Sequence, residues 1–281
     1  MLELKNVTYG YTKGAAVLQD FSMTFEEGGI YGLLGKNGTG KSTLLYLMMG
    51  LLHAQQGCIA YNGTDVRERR PEVLQDMFIV PEEYDLPNIT LRKLVERVRP
   101  FYPRFSDELL QGCLRDFDMT DDVHMRLLSM GQKKKIYMSL ALAANTRMLL
   151  MDEPTNGLDI PSKSQFRKVV SGCMDEDKTI IISTHQVRDV ELLLDRLAII
   201  DVNRVLLQAS MAEVGRQLAF TEVNERPDTA EDDAIYFEQT YHGFSVVTPN
   251  VAQRETPVNL ELLFNALLVN PQGVQRAMNK S

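Results

Sequence analysis

Residues 35 to 43 read Gly-Lys-Asn-Gly-Thr-Gly-Lys-Ser-Thr and fit the pattern G-x-x-x-x-G-K-[ST] through Gly35, Gly40, Lys41 and Ser42. The pattern constrains the fold because it has meaning only between a strand and a helix. The flanks predict both. Ile30 to Leu34 form an apolar run ahead of it, and Leu44, Leu45, Leu47 and Met48 give a helical spacing behind it. Gly35, Gly38 and Gly40 carry no Cβ, so the backbone can curl tightly and turn its N–H groups inward. A helix starting near Lys41 adds free N–H groups and the positive end of its dipole. Together these form an anion cradle. Lys41 brings a full charge for β- and γ-phosphates, and Ser42 offers a hydroxyl to Mg²⁺.

The 281 residues have room for one large domain or two small ones, with 44% hydrophobic and 24% charged residues, as in ordinary globular chains. A formal net charge of −8 argues against a general nucleic-acid binder, and no nucleic-acid partner is expected. Cys58, Cys113 and Cys173 are scattered and odd in number, which predicts a reducing compartment rather than a disulfide framework. The first residues lack a secretory apolar region, and the most apolar stretch, Met138 to Met151, is broken by Asn145 and Arg147. The expectation is a soluble cytoplasmic chain that meets a membrane only through another chain.

Along the chain, Phe21, Met23 and Phe25 alternate with polar residues, so residues 2 to 25 read as antiparallel strands. Cys58 to Tyr61 reads as a strand ending in an Asn62-Gly63 turn, and Met77 to Val80 as a short buried strand. From Thr90 to about Asn145 the spacing turns helical, with Leu91, Leu94, Val95 and Val98, then Leu109, Leu110 and Leu114 behind a Ser106-Asp107-Glu108 start. These leucines need no role beyond packing. Met148 to Met151 and Thr179 to His185 suit parallel strands buried on both faces, with a crossover helix over Ser162 to Met174. Leu197 to Asp201 and Arg204 to Gln208 predict a hairpin. The whole reads as an α/β core with a mainly parallel sheet, an N-terminal antiparallel β part and a helical part at about 84–145. Past Ala209 a small α+β extension is expected. Glu222 to Asp233 is polar, Ala234 to Tyr241 pairs with Phe244 to Val247 over His242-Gly243, and a last helix begins near Leu260.

Asp152-Glu153 closes the Met148–Met151 run. An aspartate at the end of a buried strand can hold Mg²⁺, and the adjacent glutamate can orient or deprotonate an attacking water. Leu128-Ser129-Met130-Gly131-Gln132 precedes that strand, and His185 ends the next. In this order, with the loop at 35–43, the motifs resemble the nucleotide-binding subunit of an ABC transporter, whose signature is L-S-G-G-Q. The resemblance spans Leu2 to about Gln208, so the cassette is placed at 1–208 and an accessory extension at 209–281. The Ser-Met-Gly-Gln variant, Phe101-Tyr102-Pro103 and the closing Asn259 to Phe264 are similar to the branch serving ABC-2-type export systems.

The resemblance implies a site that binds and hydrolyses ATP with Mg²⁺. Tyr11 would stack on the base, with Tyr9 the weaker match, and Val17 would pack beside ribose and base. Gly35 and Lys36 with Asn37, Gly38, Thr39, Gly40, Lys41, Ser42 and Thr43 would hold the phosphates. Asp152, Ser42 and Glu82 would serve the metal, Glu153 the water and His185 the γ-phosphate. Ser129, Met130, Gly131 and Gln132 would reach ATP held by a second subunit, with Asp159 at that interface. Integral membrane permease subunits would meet the surface from Glu82 to Leu94.

Two positions depart from the family. Glu82 stands where glutamine is usual and adds a negative charge near the γ-phosphate. Met130 replaces the first signature glycine and would be strained if that position needed a positive φ. The alternative readings are a single-cassette ABC ATPase of the cofactor-assembly type without a transport role, and a non-hydrolysing module. Intact Lys41, Asp152, Glu153 and His185 speak against the second.

Overall fold

The computed structural model describes residues 1–12, 14–227 and 233–279. The chain opens with β1 (Leu2–Tyr9) and β2 (Leu18–Phe25), paired antiparallel. β3 (Gly29–Leu34) then leads through the glycine loop into α1 (Lys41–Met48). β4 (Gln56–Tyr61) pairs with β1 and turns back into the short β5 (Thr64–Asp65). Asn62 and Gly63 both take positive φ, +47° and +79°, as the expected tight turn requires. The resulting four-stranded sheet has the order β2-β1-β4-β5.

α2 (Pro71–Asp76), which the sequence reading does not resolve, carries the chain into β6 (Met77–Val80). The helical part follows as α3 (Leu91–Val98), α4 (Asp107–Asp116) and α5 (Met130–Ala143). Each begins on a hydroxyl cap: Thr90, Ser106 and Ser129 accept from the backbone N–H of Lys93, Leu109 and Gln132. Leu91, Leu94, Leu110, Leu114, Ile136 and Leu140 close over one another in a small core of their own, so these apolar residues do pack.

β7 (Met148–Asp152), α6 (Ile160–Gly172), β8 (Thr179–Thr184), β9 (Arg196–Asp201) and β10 (Arg204–Ser210) complete the central sheet. Its order is β10-β9-β3-β8-β7-β6, parallel except for the β9–β10 hairpin. β7 and β8 are buried throughout, as their unbroken apolar runs predict. Alternation divides their side chains between two layers. Leu150 and Ile181 join the core shared with α1 and the antiparallel sheet. Leu149, Met151, Ile180 and Ile182 join the core under α6. The sheet is thus packed on both faces, and its carboxyl ends carry the glycine loop, Asp152 and Thr184.

The extension contains α7 (Met211–Gln217), β11 (Leu218–Val223), β12 (Tyr236–Thr240), β13 (Gly243–Pro249), α8 (Leu260–Val269) and α9 (Pro271–Met278). Its three strands pair antiparallel in the order β11-β13-β12. The polar stretch Glu222 to Asp233 overlaps the end of β11, and residues 228–232 of it lie outside the described residues. Three sequence expectations need correction. The β12–β13 turn falls on Tyr241-His242, with Gly243 already in the strand. α9 follows the helix at Leu260, which is therefore not the last. β10 runs past the expected boundary to Ser210, which caps α7. Val214, Leu218, Leu263 and Leu267 bury in the same core as the central strands.

Candidate active site

The loop between β3 and α1 is built from its glycines outward. A Cβ on Gly35 would lie 2.7 Å from Thr39 Oγ1 and 2.8 Å from the Ile200 carbonyl, so no side chain fits there. Gly38 and Gly40 take φ of +83° and +94°. Gly40 is the left-handed cap of α1 and lies against Val17. Thr39 Oγ1 donates to the Lys36 carbonyl at 2.9 Å and tightens the turn. Lys41 is buried and folds its ammonium back to donate to the carbonyls of Gly35 and Lys36, at 2.7 and 3.1 Å. Burial pulls the Lys41 pKa down, while the carboxylates of Glu153, Asp152 and Glu82 act in the opposite direction.

At the loop's edge, Val17 donates its N–H to the Tyr9 carbonyl at 2.7 Å. Tyr11 and Thr43 share a hydroxyl hydrogen bond of 3.1 Å. Tyr11 is 63% exposed and Tyr9 only 9%, so only the Tyr11 ring has a face free to stack on a flat ligand.

Asp152 ends β7 fully buried, beside Ser183 of β8. Asp152 Oδ1 and Ser183 Oγ are both buried without a hydrogen-bond partner among the described residues. A buried, unsatisfied carboxylate oxygen is costly, and it fits a site completed by a hard cation such as Mg²⁺. Burial raises the Asp152 carboxyl above its usual range.

Glu153 takes φ +44°, a left-handed conformation that costs a non-glycine residue about 1–2 kcal/mol. Several bonds hold it there. Its N–H donates to the Ser183 carbonyl at 2.8 Å. Its Oε2 accepts from Thr184 Oγ1 at 2.9 Å. Its Oε1 accepts the His185 N–H at 2.9 Å and lies 2.6 Å from His185 Nδ1. With Nδ1 engaged, Nε2 is the imidazole nitrogen left for another partner. This arrangement suits a carboxylate that must keep one orientation beside a histidine that faces outward.

Other predicted residues stand apart. Ser129 and Gln132 satisfy each other in a capping box, with Ser129 Oγ accepting the Gln132 N–H and Gln132 Oε1 accepting the Ser129 N–H. Met130 is the first residue of α5 with φ below zero, so it is not strained in place of glycine. Met130 is 76% exposed, and Gly131 has open space where a Cβ would be. Among the described residues no side-chain hydrogen bond joins residues 129–132 to the loop at 35–43. Asp159 is exposed and caps α6 by accepting the Ser162 N–H at 2.9 Å, which holds its carboxyl below the usual range. Glu82 Oε1 accepts from Asn156 Nδ2 at 2.9 Å.

One buried group at this site escapes sequence reasoning. Lys134 donates to the carbonyls of Glu153 and Asn156 at 2.8 and 2.9 Å. It lies in the run Lys133-Lys134-Lys135, where nothing in the sequence singles it out.

A glycine loop between a parallel strand and a helix, with an Asp-Glu pair ending a buried strand two places away in the sheet, defines a P-loop NTPase-like α/β protein. The family model "ABC transporter" matches residues 18–156. The chain is 29% identical over 290 residues to the ABC transporter ATP-binding protein YtrB of Bacillus subtilis, covering 95% of this chain and 97% of that protein. It is 33% identical over 233 residues to the cobalt import ATP-binding protein CbiO of Rhodobacter capsulatus, covering 76% and 80%. A solved structure of an ATP-binding subunit of an ABC transporter superposes with a TM-score of 0.67 at 24% identity, over 77% of this chain and 92% of that one, which shows the shared fold. The chain belongs to the ABC transporter ATP-binding family, and it is an ATP-hydrolysing enzyme.

Proposed function

We propose that this chain drives the permease of an ABC-2-type exporter by closing as a dimer around two ATP molecules. The capped, outward-facing signature carries the reading. Ser129 to Gln132 sit at an exposed helix start with no hydrogen bond to this chain's own phosphate loop, as a group meant for a second subunit's nucleotide would. The export branch is supported by the Ser129-Met130-Gly131-Gln132 variant, by Phe101-Tyr102-Pro103 and by Asn259 to Phe264. YtrB matches the chain through its extension, in keeping with a cassette at 1–208, its helical part at about 84–145, and an accessory unit at 209–281.

The family resemblance suggests the following roles, and the geometry of the site is in keeping with them. Tyr11 stacks on the base and Val17 packs beside it. Gly35 to Thr43 wrap the phosphates, and Lys41 leaves its two loop carbonyls to meet them. Asp152 and Ser42, with Glu82 at the edge, would hold Mg²⁺, which when bound neutralises charge on the β- and γ-phosphate oxygens. Glu153 accepts a proton from the attacking water or orients it, and His185 contacts the γ-phosphate through Nε2. Asp159 lies at the subunit interface, where it caps α6. Loss of the γ-phosphate removes the bridge between the two subunits and lets them reopen.

Among the described residues no helix is long and apolar enough to cross a membrane. The membrane part is therefore assigned to a separate permease, meeting the surface from Glu82 to Leu94, with this chain peripheral on the cytoplasmic face. Phosphate release from Mg-ATP should fall about 100-fold or more in Lys41→Ala, the scale of losing one charge-stabilising group. Co-expression with candidate polytopic permease subunits decides the transport reading: recovery of a complex supports it, and a chain that turns over ATP yet never joins a membrane partner indicates the soluble cofactor-assembly type.

A further inference from the structure

Lys134 is a charged side chain only 7% exposed, and among the described residues no carboxylate pairs with it directly. Its flanking lysines behave differently. Lys133 and Lys135 are half-buried, and Lys135 reaches Gln165 at 2.8 Å on α6. Burying an ammonium is costly unless its donors are used. Lys134 uses two of its three on the carbonyls of Glu153 and Asn156, which open and close one turn. The Asn156 N–H also donates to the Glu153 carbonyl, at 3.2 Å, so the ammonium clamps a turn that is already hydrogen-bonded. Burial lowers the Lys134 pKa, and Glu82, Glu153 and Asp152 oppose that shift.

The clamped turn begins with the residue that most needs holding. Glu153 is left-handed at φ +44°, and its two backbone groups are fixed from opposite sides. Ser183 takes the N–H and Lys134 takes the carbonyl. The same turn presents Asn156 Nδ2 to Glu82 at 2.9 Å. Lys134 itself lies in the first turns of α5, whose start is the capping box of Ser129 and Gln132. One ammonium therefore joins the signature helix to the carboxylate turn and, through Asn156, to Glu82.

We propose that Lys134 is a positioning residue for ATP hydrolysis: by clamping the 153–156 turn against α5 it keeps the Glu153 carboxylate on Thr184 and His185. This rests on the role proposed for Glu153. The hydrogen bonds of Lys134 go to the 153–156 turn, so it is expected to act on the chemical step and not on nucleotide binding. Displacing a reacting group by about 1 Å can cost about 100-fold, and a loss confined to kcat marks an interaction that matters in the transition state.

The test is Mg-ATP turnover by the full chain. Lys134→Met keeps the length and loses the donors; it should lower kcat about 10-fold or more with KM for ATP within about twofold. Lys134→Gln, shorter and uncharged but still a donor, should fall between Met and parent, again in kcat alone. In a Glu153→Gln background, Lys134→Met should cost nothing further. A folded Gln variant at parent kcat overturns the proposal whether or not the Met variant folds. So do variants in which KM rises and melting temperature falls in step with kcat, the pattern of a merely structural lysine. If Glu153→Gln itself turns over normally, the underlying reading of Glu153 fails. If Glu153→Gln is inactive while Lys134→Met keeps kcat within about twofold, only the Lys134 proposal fails.

Discussion

At the scale of single residues, charge placement distinguishes this site from a generic phosphate loop. Glu82 stands where glutamine is usual in the family, and in this chain it accepts from Asn156. Its charge opposes the lowering of the Lys41 and Lys134 pKa that burial causes. A negative charge facing a γ-phosphate opposes binding and the charge that builds during hydrolysis. Because Glu82 is exposed, solvent screens the effect, and Glu82→Gln should raise Mg-ATP turnover only about two- to fivefold. Turnover and transport coupling both unchanged in that variant would mean that the departure at position 82 has no functional weight. The phosphate loop was legible because its information is local: glycines, lysine and serine within nine residues. The pairing of Glu153 with His185 joins residues 32 apart and appears only once β7 and β8 lie side by side. Lys134 was hidden for a related reason: three consecutive lysines look alike until helix packing turns one of them inward.

At the scale of elements, the parallel strands and the capped helices were the legible part. β7 and β8 announce themselves as unbroken apolar runs, and α4 begins at the Ser106 that the sequence marks. Ser106 Oγ accepts the Leu109 N–H at 3.1 Å, and Ser106→Ala should remove about 1 kcal/mol of stability, read as a lower urea midpoint, with KM for ATP unchanged. An unchanged midpoint would show that the tertiary packing of Leu110 and Leu114 sets the start of α4 and the cap does not. The extension was less legible. α7 and α9 bury few apolar residues, Val214 in one and Val274 and Ala277 in the other, too sparse for a periodic signal. β11 ends in Thr221, Glu222 and the exposed Val223, so its last residues merge with the polar stretch that follows. Their place is fixed by the common core with the central sheet, a non-local fact.

At the scale of the whole molecule, the phosphate loop and the signature stand apart, in keeping with the proposed site shared between two chains. The phosphate loop, Asp152, Glu153 and His185 gather at the carboxyl ends of the sheet, while Ser129 to Gln132 are satisfied among themselves on the helical part. Lys134, at the start of the signature helix, donates to the carbonyls of Glu153 and Asn156, so in the proposed dimer it is one route by which the signature could bear on Glu153. The central claim is that ATP completes the site by bringing in a second copy. The most direct measurement is the mass of Glu153→Gln in Mg-ATP by light scattering, since a chain that binds without hydrolysing should stay closed. The shared site predicts a species of about twice the 31.8 kDa chain mass with ATP and a monomer without it. A variant that binds ATP and remains at monomer mass would contradict it.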